Sequence, residues 1–322
     1  MSRLAGHTGL TKAKKGKNDE FYTQRVDIER ELMHYAPHFE GKTVYCNTDD
    51  HEISHFVKYF QDNFQSLKLK KVIATSFEAG GVGKHYEFDG IQTRTQTLHG
   101  DGDFRSQECL DLLYEADIVV TNPPFSLFRE FVGYMDAFEK KYLVIGNINA
   151  ITYKEIFKLI QKEKAWLGIN LGRGISGFIV PENYELYGTE AKIDEHGNRV
   201  VSSNNCLWLT NLDHKKRHED IPLVKSYEGN EELYPTYDNL NGINVSRTKD
   251  IPADYMGLMG VPITFLHKRN PEQFDLIRFR KGDDGKDLAI NGKAPYFRIV
   301  IRRAEATGPL PKPKGTSQES LW

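Results

Sequence analysis

Short apolar runs separated by polar stretches recur along the chain: Thr43–Cys46 (TVYC), Lys71–Ser76 (KVIATS), Asp117–Thr121 (DIVVT), Tyr142–Gly146 (YLVIG), Ala165–Ile169 (AWLGI) and Cys206–Thr210 (CLWLT). Runs that stay apolar, instead of alternating with polar residues, mark strands covered on both faces, as in a parallel sheet. Between them Ile53–Phe64, Ser106–Tyr114, Leu127–Phe138 and Tyr153–Glu163 carry helical patterns. Strands alternating with helices are βαβ units, whose crossover handedness predicts an α/β, doubly wound, Rossmann-like sheet. Ligands of such sheets bind beyond the carboxyl ends of the strands. The residues just after each run are therefore where chemistry is expected.

From about residue 211 the alternation fades, and Pro, Tyr, Asn and basic residues take over, as in His214–His218 (HKKRH) and Tyr234–Tyr237 (YPTY). This part predicts a smaller, irregular region with a few strands, among them Val261–Leu266 and Tyr296–Ile301. Ala304–Trp322 is rich in Pro, Gly and Ser without an apolar face and reads as a mobile tail. The expected plan is an N-terminal arm over 1–40, the α/β domain over 41–212, the irregular region over 213–303 and the tail over 304–322.

A length of 322 residues suits one large domain with an appended region, or two domains, and the composition excludes collagen, coiled coil and wholesale disorder. Cys46, Cys109 and Cys206 stand singly, with no CxxC pair and no histidine cluster at ligand spacing. Neither a disulfide framework nor a metal is indicated, which favours a reducing, cytoplasmic setting. No apolar run approaches the ~18 residues of a membrane span, and Met1–Lys17 lacks the apolar stretch of a secretory signal. The net charge of -2 conceals an asymmetry: Arg3, Lys12, Lys14, Lys15 and Lys17 have no acid among them, so the rest of the chain carries -7. Lys293, Arg298, Arg302 and Arg303 also lack an acidic neighbour between 293 and 303. Both ends suit a polyanion, although basic termini also occur as plain solvated tails.

The most distinctive motif is Asn122-Pro123-Pro124-Phe125, directly after one apolar run and before a helical pattern. Two prolines fix φ twice and remove two donors, leaving the carbonyls of Asn122 and Pro123 as acceptors. An exocyclic amine that gives both its hydrogens to the Asn122 side-chain oxygen and the Pro123 carbonyl has its lone pair drawn out of conjugation and aimed at an electrophile. Phe125 offers a flat face for stacking. The competing reading is a rigid turn with a core Phe.

A methyl donor such as S-adenosylmethionine (SAM) needs acceptors for ribose hydroxyls and for an adenine amine, and a cradle for its methionine end. Glu78, after Lys71–Ser76, can take the ribose hydroxyls. Asp103, in Gly100–Phe104 (GDGDF), can take the amine while Phe104 flanks the ring, or Asp103 can cap the following helix. After the first run, Asn47-Thr48-Asp49-Asp50 replaces the expected Gly-rich turn. Without a GxGxxG fingerprint a nicotinamide or flavin site is disfavoured, but SAM has no pyrophosphate to demand one. Asp49 and Asp50 can receive the donor's ammonium and hydroxyl groups, or cap the helix that starts near Glu52.

These residues, together with Asp19–Thr23 (DEFYT), Tyr45–Asp50 (YCNTDD), Gly100–Ser106 (GDGDFRS), Asp117–Glu130 (DIVVTNPPFSLFRE), Leu171–Pro181 (LGRGISGFIVP), Asn204–Leu212 (NNCLWLTNL) and Gly260–Lys268 (GVPITFLHK), resemble the EcoRI-type adenine-specific DNA methyltransferases. The resemblance covers about residues 11–302. It implies a SAM-dependent enzyme that methylates the N6 amine of an adenine in duplex DNA, at the second adenine of GAATTC, with target recognition in the C-terminal region. By position it places Tyr22 and Thr23 at the donor's carboxylate, Glu78 at its ribose, Asp103 at its adenine amine, and Asn122, Pro123, Pro124 and Phe125 in the catalytic loop. The chain departs from the general pattern at Asn47–Asp50.

The target base must leave the duplex stack; Phe178, after Gly174 and Gly177, is a candidate second wall, or simply a core residue. Lys12, Lys14, Lys15, Lys17, the run Lys215–His218, Arg298, Arg302 and Arg303 are candidates for phosphate contacts. The expected enzyme is a monomer belonging to a restriction-modification system or acting as an orphan. The alternatives are an RNA or protein-glutamine methyltransferase, since an NPP-aromatic loop serves any planar amine or amide, and a non-catalytic sequence-specific DNA-binding protein.

Overall fold

The apolar runs become the middle of one large sheet. In the computed structural model, which describes residues 22–180, 191–194, 197–201 and 205–305, β2 (Thr43–Asn47), β3 (Lys71–Thr75), β6 (Ile118–Thr121) and β7 (Lys141–Asn147) pair in parallel in the order β3-β2-β6-β7. Every residue of β2 and β6 is buried. That two-sided burial is why their sequences show no polar alternation.

The flanks correct the expectation of a wholly parallel sheet. Beside β3 lie β4 (Lys84–Phe88) and β5 (Thr93–Thr97), both antiparallel to their neighbours. Only 89–92 joins them, too little for the crossover of about a dozen residues that a parallel pair needs. Asp89 shapes this turn, its Oδ1 accepting from Ile91 N and Gln92 N at 2.9 and 2.7 Å. On the other flank β12 (Cys206–Thr210) lies between β7 and β8 (Trp166–Leu171), antiparallel to both. A separate antiparallel sheet, β1-β9-β11-β10, joins β1 (Tyr22–Thr23), β9 (Phe178–Val180), β11 (Arg199–Val201) and β10 (Ala191–Ile193). Its strands are only 2 or 3 residues long and leave no readable pattern.

Helices α1 (Arg25–Leu32), α2 (His55–Asp62), α3 (Gln107–Glu115), α4 (Phe128–Ala137) and α5 (Lys154–Gln161) accompany the sheet. Ser54 caps α2, accepting from Phe56 N and Val57 N, and Ser106 caps α3, accepting from Cys109 N. On α4 the buried residues Phe128, Phe131, Val132 and Met135 fall at helical spacing on one face. Trp208 of β12 is fully buried and meets Phe56 edge to face at 6.0 Å.

The chain divides into two compact units, one running to Ile160 and then over Lys164–Asp213, the other comprising Gln161–Glu163 and His214 onward. The second unit has its own sheet, β13-β14-β16-β15, from β13 (Gly242–Asn244), β14 (Leu258–Pro262), β15 (Phe274–Phe279) and β16 (Arg298–Arg303). Its core holds Tyr237, Leu240, Leu258, Leu288 and Val300. The strand expected at Val261–Leu266 ends instead at Pro262, and Ile263–Lys268 turns into a 3-10 helix. Lys12, Lys14, Lys15 and Lys17 lie outside the described residues, as does the tail beyond Glu305. Among the described residues no helix is long and apolar enough to cross a membrane.

Candidate active site

Asn47 and Thr75 end β2 and β3 in register, and Thr121 ends β6, so the loops that follow leave the sheet along one edge. Thr121 ties two of them together. Its hydroxyl donates to the Asn47 carbonyl and lies 2.6 Å from Asp49 Oδ2, while Ser54 Oγ donates to Asp49 Oδ1 at 2.8 Å. Thr48 takes φ +65°, the left-handed region where a Gly-rich turn would have placed glycine. A β-branched residue held there stores about 1–2 kcal/mol. Asp49 is buried, and desolvation pushes its carboxyl up to about 7, against the hydrogen bonds from Thr121 and Ser54 and with the like charge of Asp50. Asp50 shapes the turn into α2: its Oδ1 accepts from Glu52 N at 2.9 Å and its carbonyl from Ser54 N at 2.7 Å. Neither aspartate is the helix cap, which is Ser54.

Two further polar groups stand open. Among the described residues, Thr23 Oγ1 and Asn47 Oδ1 are buried without a hydrogen-bond partner, each an uncompensated burial of about 1–3 kcal/mol. Thr23 is held by its backbone, pairing with Phe178 across β1 and β9 and accepting at its carbonyl from His55 Nδ1 at 2.9 Å. Orphaned polar atoms at Thr23 and at Asn47, the latter two residues from Asp49, fit a polar ligand such as SAM.

The Gly100–Asp103 loop packs on the end of β3. Glu78 N donates to Asp101 O at 2.8 Å, and Gly102 (φ +82°) approaches so closely that a Cβ would lie 2.0 Å from Ser76 O. Glu78 itself is exposed. Asp103 is engaged by Arg105, through Nε at 2.8 Å and Nη2 at 2.5 Å, and the guanidinium holds its carboxyl below the usual range. Ser106, not Asp103, caps α3. Phe104 is 3% exposed, edge-on to Phe131 at 5.1 Å and Tyr134 at 5.7 Å. Its ring anchors the loop in the core and does not lie open beside a ligand.

In the loop after β6, the carbonyls of Pro124 and Phe125 accept from Leu127 N and Phe128 N and start α4, while Asn122 and Pro123 precede this turn. Phe125 is half-buried and meets Phe178 edge to face at 5.8 Å. Phe178 is 3% exposed within the core. It backs Phe125 and has no open face to offer as a second wall.

Two groups that sequence reasoning passed over are Asp27 and Glu31 on α1, both buried. Carboxylates at i and i+4 interleaved with Ile28 and Leu32 were the available signal. Among the described residues no cluster of His, Cys, Asp or Glu could hold a metal.

In the second unit the basic candidates are largely paired internally. Strand register sets Asp275 opposite Arg302, giving a 3.4 Å ion pair that leaves Arg302 17% exposed. Arg303 pairs with Glu305 at 3.0 Å and donates to Ala253 O. Arg298 is half-buried and donates to Asn244 Oδ1 at 2.9 Å. Within Lys215–His218, Arg217 contacts Glu163 at 2.6 Å, while Lys215 is exposed.

A Rossmann-like sheet whose strand ends present a proline-stiffened acceptor loop next to buried, uncompensated polar groups is the build of a methyltransferase acting on an amine. The chain matches the family model described as Adenine-specific methyltransferase EcoRI over residues 9–93 and 82–304, and it belongs to that family. It is 59% identical to Type II methyltransferase M.EcoRI of Escherichia coli, over 94% of this chain and 98% of that protein. It is 37% identical to Type II methyltransferase M.MpnI of Mycoplasma pneumoniae, over 92% and 98%, and 36% identical to M.MgeORF184P of Mycoplasma genitalium, over 92% and 99%. No solved structure matches the chain.

Proposed function

We propose that this enzyme transfers a methyl group from SAM to the N6 amine of an adenine flipped out of duplex DNA, at the second adenine of GAATTC as the family resemblance implies. The observation that carries this reading is the joining of Asn47–Asp50 and Asn122–Phe125 through Thr121, which sets buried acceptors beside an amine-binding loop. Bound SAM supplies an electrophilic methyl group on a sulfonium. Thr23 and Asn47 hold its polar end, Glu78 takes the ribose hydroxyls, and Asp103 accepts the adenine amine in place of part of its bonding to Arg105.

Asn122 and the Pro123 carbonyl accept both hydrogens of the target amine and orient its lone pair, and orientation supplies much of the rate. The same acceptors stabilise the positive charge that develops on nitrogen. No general base is required, because the cationic product loses its proton readily to solvent. Phe125 stacks the base, offsetting part of the few kcal/mol that flipping costs. A monomer suffices, methylating one strand per encounter at a palindromic site. The enzyme would work in the cytoplasm, as the modification partner of a type II nuclease or as an orphan.

The test is incubation with labelled SAM and duplexes with and without GAATTC, followed by digestion to locate N6-methyladenine. Label confined to the GAATTC duplex supports the proposal. Equal labelling of both defeats the site assignment, and no labelling of either duplex defeats the DNA substrate assignment.

A further inference from the structure

We infer that Asp27 is a positioning residue for base capture, acting through Ser176 and Phe178 on Phe125. The inference rests on the proposed role of Phe125 as the stacking partner of the target adenine. Asp27 is 1% exposed. Ser176 N donates to its two oxygens at 3.0 and 2.9 Å, and Ser176 Oγ donates to Oδ1 at 2.8 Å. Neighbouring side chains of the same segment hold the same loop: Gln24 Nε2 donates to Gly177 O at 3.1 Å and Arg30 Nη1 to Gly174 O at 3.0 Å. One turn along, Glu31 accepts from Ile169 N and Asn170 N at 2.7 and 2.8 Å.

These bonds fasten the chain just ahead of a kink. Gly177 takes φ +128°, and a Cβ there would sit 2.5 Å from Val201 O, so the backbone turns sharply into β9 at Phe178. A ring mounted on that kink, in edge contact with Phe125 at 5.8 Å, inherits any slack in the clamp. Burying a carboxylate is unfavourable unless it is well hydrogen-bonded; desolvation raises the Asp27 carboxyl above its ordinary range despite these donors. An isolated helix needs no such group on its buried face. Thr23 shares a strand pairing with Phe178 but also has a second anchor in His55, which limits how far the donor element follows the clamp.

The experiment uses the full chain with two GAATTC duplexes, one carrying 2-aminopurine at the target adenine to report the fluorescence change on binding and one unmodified to give kcat. S-adenosylhomocysteine affinity and melting temperature are measured alongside. For Asp27→Ala, kcat and the fluorescence change should fall about tenfold or more, the scale of a small misplacement of reacting groups, with S-adenosylhomocysteine affinity within about threefold. Asp27→Asn should recover most of the loss, because its oxygen accepts from Ser176 N while its amide donates to Ser176 Oγ. Ser176→Ala, which keeps the backbone bond and the fold, should fall between them.

Proportional loss of kcat, donor affinity and melting temperature in both the Asp27→Ala and Ser176→Ala chains would reduce the clamp to a stability element and overturn the inference. Full fluorescence change and kcat in Ser176→Ala and Asp27→Ala would do the same. A wild-type chain that neither methylates the duplex nor alters the probe overturns the proposed function itself, and the inference with it; the wild-type control separates the two failures.

Discussion

Asp49 holds its proton to higher pH in the folded enzyme than in the unfolded chain. Its folded carboxyl titrates at about 7, against an ordinary value of about 3.9. Between these values the native state binds more protons than the unfolded state, so this group's effect is to lower stability as pH rises through the window, until the carboxylate is ionised in both states. Asp49→Asn should flatten that slope in denaturant titrations from about pH 4 to 7; an unchanged slope would mean that another group dominates. At Asn122 the expected split is different. Asn122→Ala should abolish turnover while duplex affinity, measured by anisotropy, stays within about threefold, because the lone-pair alignment is needed only in the transition state. A near-normal rate would refute the acceptor argument.

At the level of elements, close packing decides where substitution is tolerated. Gly102→Ala would drive a methyl against Ser76 O at the end of β3, with an added left-handed penalty. The loop carrying Asp103 should shift, and thermal denaturation should show a loss of about 2–4 kcal/mol. The central strands β2, β3, β6 and β7, and the points where the following loops leave the sheet, were readable from sequence, since two-sided burial writes an apolar run and Asn-Pro-Pro ends one. The reversed β12, the β4–β5 hairpin and the small β1-β9-β11-β10 sheet were not. Strand direction depends on the connecting chain, and pairings of 2 or 3 residues are too short to impose a pattern. The carboxylate pattern on α1 hinted at Asp27, but its bonds to Ser176 were not readable because Ser176 lies 149 positions away. Arg302 looked free only because Asp275 reaches it across β15 and β16.

For the whole molecule, the near-neutral charge implies that few bonds to phosphate carry the affinity. With Arg302 and Arg303 paired internally, the basic arm ending at Lys17 is the largest uncompensated block in the sequence. Removing residues 1–17 should reduce the slope of log affinity against log salt by about 0.9 for each phosphate that the arm neutralises. Arg302→Ala should leave that slope unchanged in the same filter-binding series.

The second unit is not a contiguous stretch of chain, and this limits how it can be exchanged between relatives. Glu163, upstream of the 213/214 junction, contacts Arg217 and Arg269 at 2.6 Å each, and Arg269 is only 9% exposed. A chimaera spliced at that junction keeps its donor's arginines but takes residue 163 from the host. Where the host lacks an acid there, the grafted region should lose about 2–3 kcal/mol, somewhat less than a fully buried pair because Glu163 is 35% exposed. Modularity at this site is thus conditional on three residues that a simple cut leaves behind.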